Sequence, residues 1–348
     1  MTEPADGPSD GPSDGPSDGA RTLDATARAR VAIVGTGEMA RRHVESWHRL
    51  GAEVVVHSRS AERGRAFASE HGVRSVTAPD EVLTAADVID ICTPTDTHAT
   101  LAHWAAGAGR HVVCEKPLAR DPAEGRTMID ACIDAGVGLC VAQVLRYFPA
   151  YVIARDAVAA GRIGRPTEFT FFREVESPGA QTWFADVSRS GGILVDLAIH
   201  DLDYARWVGG EVGEVVGRTT PRAGAGAPLR STATLTHVDG VTTRVEAVWD
   251  VPGTSVRSTF ELAGDEGVLR FDSAPAQVLT DGTGAVLYAD DGSVDPFAEQ
   301  FAEFLTAFTG GVEPRVTAED GLTALAIALA GEESARMGRP VDPASLLR

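Results

Sequence analysis

Lys116 is the single lysine among the 31 lysine and arginine residues of this 348-residue chain. Every other basic position accepts arginine, so the retained lysine points to a property that arginine lacks. Arginine stays protonated under ordinary conditions. Lysine is a compact ammonium whose pKa moves on burial and which can hand over a proton. It lies in Val112-Val113-Cys114-Glu115-Lys116-Pro117, directly after an apolar run that reads as a buried strand. A second set of proton-handling groups, Asp196 and His200, stands four residues apart, the spacing that places two side chains on one helix face. Ile193 and Ile199 flank them, so the pair reads as partly buried, with the carboxylate orienting the imidazole and raising its pKa. Asp203 continues that row and Asp201 turns away from it. The preceding Ser190-Gly191-Gly192 allows a close backbone approach or starts the helix. Taken without the rest of the chain, the Asp–His pair reads as a surface feature.

Phosphate-binding chemistry is written at Gly35-Thr36-Gly37-Glu38-Met39-Ala40, between an apolar strand and a helix. The first glycine makes the tight turn, the second lets a backbone approach a pyrophosphate, and the helix start offers free N–H groups. These residues read as contacts of a bound dinucleotide. The next strand ends His57-Ser58-Arg59-Ser60, without the acid that holds the ribose hydroxyls of NAD(H). Ser58 and Arg59 suit a 2′-phosphate instead, which favours NADP(H) over NAD(H). Thr93-Pro94-Thr95-Asp96-Thr97-His98 follows another strand. Thr93, Pro94, Thr95 and His98 therefore reach the binding edge as candidate cofactor contacts, although Thr97 also serves as an ordinary helix cap and a histidine here is more often structural. Glu115 and Lys116 share that edge.

The elements that position these groups form two patterns. Strands at 31–34, 53–57, 88–92, 111–114 and 138–143 alternate with helices at 38–50, 61–70, 97–106 and 122–135, which implies a parallel sheet covered on both faces. From residue 147 onward, a strand at 167–172 and a helix near 192–208 precede β-branched runs at 214–219, 231–237, 242–251, 255–262 and 268–271. Helices near 296–309 and 318–337 follow. This reads as a second unit with one large, mostly antiparallel sheet. The organisation is α/β: a tail at 1–22, a dinucleotide-binding domain at 23–146 and a substrate domain at 147–348. The Asp-Gly-Pro-Ser repeats of the tail carry no large apolar residue after Met1 and imply disorder. A net charge of −19 argues against nucleic acid as a partner. No run of about twenty apolar residues implies a membrane span. Cys92, Cys114, Cys132 and Cys140 show no metal-like spacing and read as buried thiols of a reducing cytoplasm, with no metal site.

Together these motifs resemble the Gfo/Idh/MocA oxidoreductase family over residues 30–341. The family has a Rossmann domain and a C-terminal α/β domain whose open sheet often mediates assembly. The resemblance implies NAD(P)-dependent hydride transfer to or from a carbon of a sugar, inositol or aminocyclitol. It makes Lys116 and His200 the catalytic pair and Asp196 their polar partner. Lys116, Arg146, Trp183, Asp196 and His200 become the substrate contacts, with Arg146 alternatively bracing the domain junction. A homodimer or tetramer through the C-terminal sheet follows from the same resemblance. The arginine- and alanine-rich coding bias hints at an antibiotic aminocyclitol or deoxysugar pathway. Two alternatives are a non-catalytic dinucleotide-binding regulator and a family member that cleaves glycosides by transient oxidation.

Overall fold

The computed structural model describes residues 23, 28–179, 182–220 and 229–348, so the tail expected at 1–22 lies outside the described residues. Six short runs rich in Val and Ile form the first sheet: β1 (Arg30–Val34), β2 (Glu53–His57), β3 (Arg74–Val76), β4 (Val88–Ile91), β5 (His111–Cys114) and β6 (Leu139–Val141). Their order is β3-β2-β1-β4-β5-β6, and every pairing is parallel. Helices α1 (Glu38–Arg49), α2 (Ala61–His71), α3 (Pro79–Ala85), α4 (His98–Gly107) and α5 (Pro122–Asp134) cover the sheet. The central strands β4 and β5 are therefore buried at every residue instead of alternating. Local signals start the helices. Ser60 accepts the Arg63 N–H, and Asp121 accepts the Glu124 N–H with Pro122 in the first turn. The strand order reverses between β1 and β4, and a crevice opens at the carboxyl ends of these two strands.

Helix α6 (Pro149–Ala159) leads into the second sheet. Its strands are β7 (Pro166–Glu176), β8 (Val212–Thr220), β9 (Leu229–His237), β10 (Thr242–Asp250), β11 (Arg257–Gly264), β12 (Val268–Asp272), β13 (Val278–Asp281) and β14 (Val286–Ala289). The order is β14-β13-β12-β11-β7-β10-β9-β8. All neighbours are antiparallel except β7 and β10 at the centre. Between those two the chain crosses over through α7 (Val187–Ser190) and α8 (Ile199–Gly209), which parallel pairing requires. Side chains alternate along β7: Phe169 and Phe171 are buried, Glu168 and Thr170 exposed. Tyr151 of α6 meets Tyr204 of α8 and Phe260 and Phe271 of the sheet edge-on, which locks the helical layer to the inner face.

The last two helices, α9 (Pro296–Phe308) and α10 (Ala318–Met337), return to the first sheet. Phe301 of α9 stacks on Trp47 of α1 at 4.3 Å. Arg126 of α5 pairs with Glu319 of α10. Thr317 and Asp320 form a reciprocal capping box at the start of α10. Helix α6, the short α3 and α7 and strands β3, β13 and β14 add to the elements expected from sequence.

Candidate active site

A cleft of about 720 Å³ occupies the crevice beyond β1 and β4. Gly35, Thr36, Gly37, Glu38 and Met39 line one wall. Gly35 adopts φ +128°, and a Cβ there would stand 2.2 Å from the Cys92 carbonyl oxygen, so only glycine lets β1 turn this closely against β4. At Gly37 a Cβ would meet nothing within 4 Å, and α1 begins there with no side-chain cap. The first N–H groups of the helix thus open onto the cleft, an arrangement suited to a diphosphate. Ser58 and Arg59 line the end beyond β2, joined by His57 and Arg63, neither of which the sequence reading offered as a contact. Neither Arg59 nor Arg63 pairs with a carboxylate among the described residues. These features fit a nicotinamide dinucleotide.

Thr93, Pro94 and Thr95 also line the cleft. His98 does not reach it. Its ring is buried, with Nε2 2.9 Å from the Thr93 carbonyl oxygen and Nδ1 3.0 Å from that of Pro117. It joins the loop after β4 to the loop after β5, and burial holds its pKa below the ordinary imidazole value. The expected cofactor contact is therefore a brace beneath the wall.

Glu115 and Lys116 leave β5 into the cleft. The Lys116 ammonium donates to the main-chain oxygen of Asp196 at 2.6 Å and lies 3.5 Å from Oδ1 of the same residue. Both side chains keep a little exposure, 16% and 13%. Asp196 thus partners the lysine and not His200. Leu194–Ala198 is one π-helical turn, and Lys116, arriving from the first sheet, takes the Asp196 main-chain oxygen and carboxylate there. The Nδ1 of His200 is enclosed and has no hydrogen-bond partner among the described residues. The expected rise in its pKa is reversed. Burial pushes it well below the ordinary value, and the positive charges of Lys116 and Arg173 add to the effect. The Gly191-Gly192 pair starts this helix. Gly192 has φ +97°, and a Cβ there would stand 2.6 Å from Oε1 of Glu332, the atom that accepts the Leu194 N–H at 2.9 Å.

Arg146 lies away from the cleft. It is buried and makes a paired contact with Asp203 at 2.9 and 2.7 Å, and it also donates to the Arg315 carbonyl oxygen. It braces the junction between the sheets and does not reach a substrate. Asp201 is equally buried and pairs with Arg173 at 2.7 and 2.8 Å. Trp183 does line the cleft, stacked on Phe184 at 4.0 Å. Across the rim, Arg189 of α7 donates twice to Asp96, at 2.8 and 3.0 Å. Phe184, Asp96 and Arg189 were not singled out from sequence. Only the position of Asp96 in the loop after β4 signalled its place.

Comparison with known proteins agrees with this geometry. Residues 29–143 match the family described as oxidoreductase family, NAD-binding Rossmann fold, and residues 151–270 match the GFO/IDH/MocA C-terminal domain. The chain is 33% identical over 327 residues to a 1,5-anhydro-D-fructose reductase of Ensifer adhaerens, covering 90% of this chain and 98% of the relative. It is 31% identical over 302 residues to D-xylose 1-dehydrogenase (NADP(+)) 2 of Haloferax volcanii, covering 83% and 91%. Among solved structures, levoglucosan dehydrogenase in complex with NADH and levoglucosan superposes with a TM-score of 0.78 at 25% identity, covering 91% of this chain and 99% of that one. A cleft on the switch point of a parallel sheet, closed on one side by Trp183, Arg189 and Asp196 of the second unit, thus occurs here in a chain that belongs to the Gfo/Idh/MocA family of NAD(P)-dependent oxidoreductases.

Proposed function

We propose that the chain oxidises or reduces one carbinol carbon of a sugar, inositol or related cyclitol, with NADP(H) as its preferred nucleotide. The observation that carries this reading is the meeting of Lys116 and Asp196 in the lining of a cleft whose opposite wall is an uncapped helix start; His200, whose Nδ1 has no hydrogen-bond partner among the described residues, stands behind that lining. When bound, the nicotinamide supplies the hydride acceptor or donor. In oxidation, neutral His200 takes the proton of the reacting hydroxyl. Lys116 donates a hydrogen bond to that oxygen as negative charge develops on it. In reduction, the two groups return the proton. Asp196 holds one N–H of the ammonium and leaves the others for substrate. Trp183 offers an apolar wall to a sugar face. Residues 23–146 hold the nucleotide and 147–348 frame the substrate.

The relatives' named substrates, 1,5-anhydro-D-fructose and D-xylose, support a carbohydrate. The narrower aminocyclitol or deoxysugar reading rests on the coding bias. Three features support NADP(H): Ser58 where an acid would hold ribose hydroxyls, and the unpaired Arg59 and Arg63 beside it. The four free cysteines support a reducing cytoplasm, and no described helix is long and apolar enough to cross a membrane. The face of the second sheet that carries Glu168 and Thr170 is the surface for assembly into a dimer or tetramer.

The test is a cofactor-reduction screen against sugars, polyols, inositols, aminocyclitols and deoxysugars, with both nucleotides titrated on the same preparation. Turnover is expected with at least one member, together with tighter binding of NADPH than NADH. Nucleotide binding without turnover across the panel would overturn the substrate class. A preference for NADH that Arg59→Ala leaves unchanged would overturn the nucleotide assignment.

A further inference from the structure

Beneath the cleft floor lies a buried polar cluster that the reaction as described does not use. His43 projects from α1 and is fully buried. Its Nδ1 lies 3.0 and 2.9 Å from the two oxygens of Asp90, also fully buried, and 3.1 Å from the Cys92 sulfur. Its Nε2 lies 3.0 Å from Oε1 of Glu115. The indole N–H of Trp47 donates to Asp90 at 2.7 Å, and Phe301 closes the pocket edge-on at 4.8 Å. The second Glu115 oxygen accepts the main-chain N–H of Lys116 at 3.0 Å.

An imidazole can donate to a carboxylate at each nitrogen only with a proton on both, so this geometry suits His43 as a cation. Burial opposes that charge, but Asp90 and Cys92 outweigh it and hold the pKa well above the ordinary value. His43, Asp90 and Cys92 also have the donor types of a metal site. Their spacing is that of shared protons. Nitrogen, oxygen and sulfur ligands around one tetrahedral zinc would stand about 3.3–3.6 Å apart, further than these contacts.

We propose that His43 is a positioning residue for Lys116: its imidazolium clamps Glu115, and Glu115 fixes the main chain from which the lysine extends. The proposal rests on Lys116 acting in proton transfer. Its physical content is a mechanical link. Helix α1 opens onto the cleft through Gly37 and Glu38, where the nucleotide would bind, and its buried face holds His43. The lysine loop is held by the same helix, so nucleotide and lysine are set in one frame.

A double-mutant cycle on the full chain tests the link, using His43→Gln, Lys116→Arg and the double variant. His43→Gln is expected to lower kcat toward about a hundredfold, the cost of displacing a reacting group by roughly 1 Å. KM and the nucleotide Kd should stay within about twofold, because the contacts that set them are retained. In the Lys116→Arg background, the same change should cost less than about twofold. Equal losses in both backgrounds, or full kcat in folded His43→Gln, would overturn the proposal. Near-normal turnover of Lys116→Arg by itself would instead overturn the role of the lysine. A measurement on the unaltered protein guards against a variant that does not fold. Nitrogen-resolved NMR should show one solvent-protected histidine with both ring nitrogens protonated at neutral pH. A neutral His43 ring would overturn the clamp.

Discussion

His43 is fully buried and His200 half-buried with its Nδ1 enclosed, and their environments drive them in opposite directions. Burial by itself disfavours the charged form of each. His43 sits against Asp90 and Glu115 and is held as a cation. His200 sits near Lys116 and Arg173, finds no carboxylate, and is held neutral. The comparison teaches that burial alone sets the direction at His200, with the nearby cations adding to it, whereas at His43 the nearest carboxylate reverses it. That difference suits one ring to clamp a framework and the other to receive a proton.

The largest expected effect comes from removing the neutral ring. His200→Asn should lower turnover by about a hundredfold to ten-thousandfold with nucleotide affinity close to normal, as steady-state kinetics beside a nucleotide titration would read. Wild-type turnover in that variant would mean that a different group accepts the proton. The acidic limb of the wild-type oxidation profile should also fall below about pH 6.5, the ordinary imidazole value, because the neutral ring persists to lower pH.

Changing the cation beside His200 sharpens the contrast. Lys116→Arg keeps the charge, so the His200 titration should stay in place while turnover falls by at least about a hundredfold. Lys116→Met removes the charge, and the His200 pKa should rise when followed by NMR. An unmoved titration in the methionine variant would remove Lys116 from the account of the neutral ring.

The smallest effects are in stability, and they have opposite signs. The folded pKa of His200 is depressed, so the unfolded chain binds the extra proton. Stability should therefore fall by about 1.4 kcal/mol per pH unit below about pH 6.5, until the folded pKa is reached. His200→Asn should flatten that slope in urea unfolding. The folded pKa of His43 is raised, so its contribution is complete below about pH 6.5 and fades as pH rises through the folded value. The stability gap between the wild type and His43→Gln should accordingly narrow in alkali. Parallel slopes for the two variants would erase the distinction between the rings.

Much of the first sheet was legible because its signals are local. Buried apolar strands, the Gly35–Gly37 turn and a lone lysine after a strand need no distant partner to be recognised. Helix α6 was legible too, through Pro149 in its first turn and the buried spacing of Tyr151, Ala154 and Val158, but was passed over between two domains. The π turn at Leu194–Ala198 has no local signature, and a spacing argument based on an α-helix misassigned the partner of Asp196. The fates of Arg146 and His98 depended on Asp203, Arg315, Thr93 and Pro117, acceptors brought together only by the tertiary fold. The sign of the His200 shift was hidden for the same reason, since Lys116 and Arg173 arrive from separate sheets.

The helix beyond that π turn carries two buried acids, Asp201 against Arg173 and Asp203 against Arg146. Replacing either acid by alanine would leave a buried cation without counter-charge, a loss of several kcal/mol. With Asp196 inside the turn holding Lys116, one short run of chain from 194 to 203 ties the reaction site to the junction between the sheets.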